Sequence, residues 1–288
     1  MKKIIILIIF IYTNFLFSQK RTCIIVNDNN NLPIEYCNIK IVNKDIGTYS
    51  NSNGYFTFDN NNNNNKDSLF ISHILYKEIT IAVKSIKDTI KLRSKNQFLD
   101  EVIINSDKNY TDWSKKRKDK HHWYIQPKTE FCVLLEKYKK NETLNEVRFP
   151  IEYLDYLKSE VIGSSIFRIN IYNNTNDKIG DIISITDNTT TLTEKSNFIQ
   201  FILDKPIKIP ENGLFLGVEF IGFIDENGTL LLNERNNFIK LDFASTKSSK
   251  TFYSNKFINN GLWSLLEKKN DVFPFELKTG LSLIYIYK

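Results

Sequence analysis

The chain has 288 residues, enough for one large domain or two ordinary ones, and 41% of them are hydrophobic. Fourteen Tyr and 21 Phe against a single Met make a strand-favouring, globular composition. The net charge of +6 does not require an anionic partner, because Lys, Asn and Ile are over-used together, as A/T-rich coding DNA produces; nucleic-acid binding is set aside.

Residues 1–19 read as a secretory signal peptide. Lys2 and Lys3 form a positive start, Ile4 to Tyr12 is an unbroken apolar run, and Ser18-Gln19 offers a small residue for cleavage. The run is shorter than the ~20 residues a membrane helix needs, and no other segment approaches that length. The expected location is therefore exported: periplasm, outer-membrane surface or extracellular, with no membrane span in the mature chain.

From Arg21 to Asn105 short strands alternate with turn signals. Thr22–Asn27 precedes the turn Asp28-Asn29-Asn30-Asn31, where Asp28 is expected to cap through its carboxylate. Leu32-Pro33 opens a strand where a missing N–H is harmless. In Tyr36–Val42, Ile39 and Ile41 share one face. Gly47 and Ser50–Gly54 punctuate, with Asn53-Gly54 suited to a hairpin turn. Tyr55–Phe58, Ser68–Ser72, Glu78–Val83, Thr89–Leu92 and Glu101–Ile104 complete the set. Such spacing indicates a sandwich. Three cysteines, Cys23, Cys37 and Cys132, make no disulfide framework. Parity puts Cys23 and Cys37 on different faces of their strands, so buried free thiols are expected.

Several strings in this region carry a family resemblance. Val26-Asn27-Asp28, Leu32-Pro33-Ile34 and Cys37-Asn38-Ile39-Lys40-Ile41 are followed by Gly47-Thr48, Asn53-Gly54-Tyr55-Phe56 and Asp67 to Lys77. Ile90-Lys91-Leu92 and Leu99 to Ile104 close the set. Residues 20–105 thus resemble the carboxypeptidase-regulatory-like domain. The resemblance implies a seven-stranded prealbumin-like sandwich, non-catalytic and fused ahead of other exported domains. Two glycines usual in that family are replaced here, by Ile24 and Leu75.

Residues 106–128 are charged and read as a basic linker. Lys115, Lys116 and Arg117, bracketed by Trp113 and Trp123, are candidates for contact with an anionic membrane surface or polysaccharide; a plain solvated segment is the alternative. His121 and His122 are adjacent, which suits neither strand nor helix chelation of one ion, and no metal or other cofactor is expected.

Residues 129–288 again alternate. Candidate strands are Glu130–Glu136, Leu144–Phe149, Ile166–Tyr172, Ile182–Thr186, Phe198–Leu203, Leu214–Phe223, Phe238–Phe243 and Leu281–Tyr287. Ile207 to Phe220, a short turn leading into an apolar strand, resembles the late strands of jelly-roll accessory domains. The expected fold is all-β, a prealbumin-like sandwich followed by a jelly-roll-like one.

Nucleophile elbow, His-Glu-x-x-His, phosphate loop and Cys-x-x-Cys are all absent; Gly163-Ser164-Ser165 lacks the second glycine of an elbow. Carboxylates are plentiful, and Glu219 is the notable one: set among Val218, Phe220 and Ile221, it has surroundings that would raise its pKa. It is either an acid–base residue, a solvent-side strand residue, or a buried partner of Arg168 or Arg148. The leading expectation is a non-enzymatic envelope protein: a spacer or folding module plus a sandwich that binds a glycan or an envelope protein. A carboxylate-dependent hydrolase built on Glu219 is the alternative.

Overall fold

The computed structural model describes residues 20–59, 67–95, 109–112, 120–136, 142–153, 164–183, 189–192, 196–232, 239–245, 251–266, 279–281 and 284–287. Apart from two single-turn 3-10 helices, Val83–Ser85 and Asn259–Gly261, the regular elements among them are strands. The expected signal peptide and the strand at Glu101–Ile104 lie outside them. The chain divides into two compact units, residues 1–94 and 95–288.

The described residues of the first unit hold seven strands: β1 (Lys20–Asn27), β2 (Asn38–Ile41), β3 (Gly47–Tyr49), β4 (Tyr55–Asp59), β5 (Ser68–His73), β6 (Tyr76–Ala82) and β7 (Thr89–Leu92). One sheet has the order β4-β1-β7 and the other β3-β2-β5-β6. The β1–β7 pairing is parallel, and β1–β4 is antiparallel. Alternating side chains put Cys23, Ile25, Phe56, Phe58, Ile90 and Leu92 of one sheet against Ile39, Ile41, Leu69 and Ile71 of the other.

Local chemistry sets the turns. Gly54 has φ +73°, and a Cβ there would stand 2.6 Å from the Ile25 carbonyl, so only glycine fits. Asn51 Oδ1 accepts from the N–H groups of Asn53 and Tyr55 and fixes that hairpin. After β1, Asn27 and Asn30 do the capping expected of Asp28, through bonds from the Asn29 and Leu32 N–H groups. Asp28 instead faces Arg93 at 3.5 Å and Lys91 at 3.9 Å.

Two further expectations change here. Gly47–Tyr49 is a strand rather than punctuation, pairing with β2 and burying Tyr49. Cys23 and Cys37 both enter the one core, because Cys23 shares the inward parity of Ile25. All three cysteines are free and buried.

The second unit runs β8 (Asn109–Asp112), β9 (Lys120–Ile125), β10 (Thr129–Leu135), β11 (Thr143–Tyr153), β12 (Ser164–Thr175), β13 (Lys178–Ile182), β14 (Thr189–Leu192), β15 (Phe198–Lys208), β16 (Leu214–Ile224), β17 (Leu230–Leu231), β18 (Ile239–Ser245), β19 (Thr251–Asn255), β20 (Ser264–Leu265), β21 (Thr279–Leu281) and β22 (Ile284–Tyr287). One sheet follows β13-β12-β16-β10-β19-β20, with β14 also on β12 and β17 on β16. The other follows β21-β18-β11-β22-β8, with β15 on β11 and β9 on β18. Their inner faces meet in one core that includes Phe131, Val133, Phe167, Ile169, Val218 and Phe220 from the first sheet, and Val147, Phe149, Ile199, Phe201 and Leu241 from the second.

The stretch expected as a linker therefore contains two strands. Lys120–Ile125 pairs with β18 over six residues, placing His121 opposite Phe243 and His122 opposite Asp242. Ile125 is wholly buried and Trp123 packs on the core, so two apolar residues of like parity anchor a strand whose other members are Lys120, His121, His122 and Tyr124. The turn into β16 is as the sequence suggests: Gly213 has φ +79° and donates to the Pro210 carbonyl at 3.0 Å. β16 is then central and buried on both faces.

Candidate functional site

Four of the residues expected at a surface contact, Trp113, Lys115, Lys116 and Arg117, lie outside the described residues. Trp123 is half-buried against the core of the second unit. Glu219 is internal, only 1% exposed. The solvent-side reading of Glu219 is thereby corrected, because the sheet face it occupies is itself covered.

Strand register explains what Glu219 meets. Arg168 on β12, Glu219 on β16, Glu130 on β10 and Ser254 on β19 are directly paired from strand to strand. Same-register neighbours project to the same side, so they form one row across four strands, with every member buried. The next row along the strands is Asn170, Gly217, Cys132 and Phe252. Tyr172 follows, opposite Phe215.

The contacts within this ladder are specific. Arg168 Nη1 lies 3.6 Å from Glu219 Oε2. Asn170 Nδ2 donates to Glu219 Oε2 at 2.9 Å and to Glu130 Oε1 at 3.1 Å, holding the two carboxylates side by side. The Tyr172 hydroxyl meets Glu130 Oε1 at 2.9 Å and Oε2 at 3.0 Å. Lys256, just past β19, makes an ion pair with Glu130 Oε2 and has its Nζ 5.8 Å from the centre of the Trp263 ring. Gly217 leaves the room: a Cβ there would overlap Glu130 Oε1.

Burial controls the titration of these groups. It pushes the Glu130 carboxyl up, opposed by the Lys256 charge and reinforced by Glu219. Burial alone would lower Lys256, but Glu130 and Glu219 outweigh it and hold the ammonium above its ordinary range. The Tyr172 hydroxyl and the Cys132 thiol are both pushed well up, first by burial and then by Glu130.

A hydrolase built on Glu219 needs a second carboxyl nearby and an opening for substrate. Glu130 supplies the first. Among the described residues no three His, Cys, Asp or Glu side chains converge on a metal site.

An open cleft does exist at the sandwich edge where β14 and β15 approach. It has a volume of about 420 Å³ and is lined by Thr189, Thr190, Thr191, Ser196, Phe198 and Gln200, with Leu192, Phe201 and Ile202 as apolar floor and wall. Alternation along β15 produces this surface. Ile199, Phe201 and Leu203 are buried, while Phe198 and Gln200 are half-buried and Ile202 is 67% exposed.

Beside the cleft, on β11, Glu146 Oε1 accepts from Gln200 Nε2 at 2.7 Å and from Arg148 Nε at 2.6 Å. The Arg148 guanidinium lies 5.0 Å from the centre of the Phe198 ring. The aromatic ring and the amide are thus held in place by charged neighbours that cancel one another. No motif announced this group; the alternation of Phe198, Gln200 and Ile202 was its one sequence trace.

Residues 24–104 match the model of one family, the CarboxypepD_reg-like domain. Residues 24–104 are a CarboxypepD_reg-like domain. The match takes in β1 to β7 apart from the first residues of β1, runs ten residues past the first unit and stops before β8.

No curated protein sequence matches the chain. Among solved structures, the chain is similar to the cysteine protease and lectin-like domains of Cwp84, a surface layer associated protein of Clostridium difficile. That similarity has 10% identity and a TM-score of 0.39, covering 93% of this chain and 62% of that one. This chain therefore spans under two thirds of that protein's solved length. A second structure of clostridial Cwp84, after propeptide cleavage, gives 11% identity, a TM-score of 0.39 and coverage of 93% and 70%. A carbohydrate-binding module of the β-sandwich superfamily gives 12% identity, a TM-score of 0.19 and coverage of 87% and 99%.

Proposed function

We propose that this is an exported envelope protein whose second sandwich binds a neutral glycan in the β14–β15 cleft, the CarboxypepD_reg-like domain serving as a rigid spacer. The observation carrying this reading is the chemistry of the cleft lining. It presents hydroxyls from Thr189, Thr190, Thr191 and Ser196, the Gln200 amide and the Phe198 ring, and no titratable group.

Hydroxyls and a carboxamide both donate and accept hydrogen bonds, as a polyol requires. An aromatic face suits the C–H face of a sugar ring. The Glu146–Arg148 pair is itself neutral and the described lining carries no charge, so a neutral saccharide is favoured over a polyanion. The volume falls within the range of small-molecule sites, ~300–1,000 Å³.

The test is a glycan-array screen of the full chain, followed by calorimetric titration of each hit. Phe198→Ala is expected to weaken binding about tenfold, corresponding to ~1.4 kcal/mol. Gln200→Ala is expected to act in the same direction. Hits whose affinity is unchanged in both variants would remove the cleft from consideration. An absence of hits would turn the search to an envelope protein partner by crosslinking in cells. Hydrolysis of any hit, lost in Glu219→Gln, would favour the carboxylate hydrolase instead.

A further inference from the structure

The ladder on the outer face of the β13–β20 sheet contains a grouping that a structural ion pair does not require. Glu130 is wholly buried, and its two oxygens are in different circumstances. Oε1 receives the Asn170 amide at 3.1 Å and lies 2.9 Å from the Tyr172 hydroxyl, which is shared with Oε2 at 3.0 Å, so the Asn170 bond is what sets Oε1 apart. Oε2 is in contact with the Lys256 amine, whose Nζ also lies 3.5 Å from that hydroxyl. One oxygen is thus held as a carbonyl oxygen would be in an oxyanion site, and the other faces a primary amine.

We propose that Lys256 and Glu130 condense into an intramolecular amide, a covalent tie between β10 and the segment following β19.

The step balances without any further reactant. The ammonium proton passes to Glu130 Oε2, giving a neutral amine beside a neutral carboxylic acid. Glu130 and Glu219 favour the ammonium, so the neutral pair is the minor species from which the amine attacks; burial, which penalises both charges, narrows the gap between the two. The amine lone pair of Nζ attacks Cδ of Glu130, and the developing charge on Oε1 is met by Asn170 Nδ2 and the Tyr172 hydroxyl. Oε2 leaves as water, taking a second proton from Nζ. An Nζ–Cδ bond forms, a Cδ–Oε2 bond breaks, and nothing is oxidised or reduced.

Proximity supplies the driving advantage, because both reactants are anchored in one fold and already touch. The Lys256 side chain is 20% exposed, which gives the released water a way out. Asn170 is itself fixed by its bond to Glu219, so Arg168, Glu219 and Asn170 position the electrophile.

Intact-mass measurement of the full chain under denaturing conditions tests this directly. The expected mass is lower by one water than that of the same polypeptide unlinked. Tryptic digestion should give a branched peptide joining the segments around Glu130 and Lys256, with cleavage after Lys256 blocked. Lys256→Arg should restore the full mass and the cleavage. A wild-type chain of full mass with no branched peptide overturns the proposal, as does a water deficit that persists in Lys256→Arg. Because the decisive reading is on the wild-type chain, a variant that folds poorly leaves the test intact.

Discussion

Replacing Gly217 with alanine isolates the energetics of the ladder in a single methyl group. Gly217 does not sit at positive φ, so alanine meets no backbone penalty there; the cost is steric alone. Its Cβ would overlap Glu130 Oε1 and stand 3.0 Å from Cδ and 3.3 Å from a Tyr172 ring carbon. The carboxylate must retreat, and its bonds from Asn170 and Tyr172 and its contact with Lys256 weaken together. The amide oxygen of a Glu130–Lys256 bond would occupy the same space.

Overpacking a filled site costs ~1–3 kcal/mol, and each hydrogen bond to a charged group contributes ~1.5–3 kcal/mol. Partial loss of these contacts brings the expected destabilisation to about 3–5 kcal/mol, a large share of the ~5–15 kcal/mol a domain has. All three tryptophans, Trp113, Trp123 and Trp263, belong to the second unit. Tryptophan fluorescence during urea unfolding of the full chain therefore reports that unit alone. Gly228→Ala is the control: its Cβ meets nothing within 4 Å, and only the φ of +78° is penalised, by ~1–2 kcal/mol. A Gly217→Ala chain within ~1 kcal/mol of wild type would refute the close packing of Glu130. So would a Gly217→Ala/Glu130→Ala double variant whose cost equals the sum of the singles, since the clash should vanish with the carboxylate.

Arg168→Met should destabilise the second unit by ~3–5 kcal/mol, because it leaves Glu219 buried beside Asn170 without its cation; in Arg168→Met/Glu219→Leu most of that should return, and urea midpoints that fail to separate the two variants would count against the pairing. Thiol titration of the native chain should find Cys23, Cys37 and Cys132 unreactive, since all are buried and burial pushes the Cys23 and Cys132 thiols up. After unfolding without reductant all three should react, and a smaller number would mean a disulfide. The cleft and crosslink predictions add the loss of glycan affinity in Phe198→Ala and the one-water mass deficit abolished by Lys256→Arg.

The first sandwich was legible because each strand ends in chemistry that sequence displays. Asn53-Gly54 marks a hairpin, Pro33 a bridge partner of Val26, and Ile39, Ile41, Leu69 and Ile71 a period of two. Gly47–Tyr49 was missed because three residues are too few to show a period. Cys23 was misassigned because β1 buries Val26 as well as Ile25, so its parity could be counted either way. In the second sandwich, the apolar run of β16 announced a strand buried on both sides, with Glu219 as its anomaly. β9 and β19 did not announce themselves: Lys-His-His-Trp-Tyr-Ile and Thr-Phe-Tyr-Ser-Asn carry too few apolar residues, and become strands through their partners β18 and β10. Glu130 and Lys256 could not be linked to Glu219 from sequence, because that association depends on register across β16, β10 and β19.

Register is also what the ladder protects. A slip of β16 by one residue would exchange its two faces, both lined by large apolar side chains. Hydrophobic matching alone discriminates poorly between the two settings, since Val218 and Phe220 would meet an apolar neighbourhood in either. Glu219 discriminates strongly. In the slipped setting it would face Phe167, Ile169 and Val133 in the core, away from Arg168 and Asn170, at a cost of several kcal/mol for an unpaired buried ion. The same holds for β10 through Glu130, whose partners Tyr172 and Lys256 lie on one side of the sheet. Two charged residues on the two central strands thus choose one register out of two that burial would nearly tolerate. That choice fixes β12 opposite β16, and with it the edge on which β14 meets β15 to form the cleft.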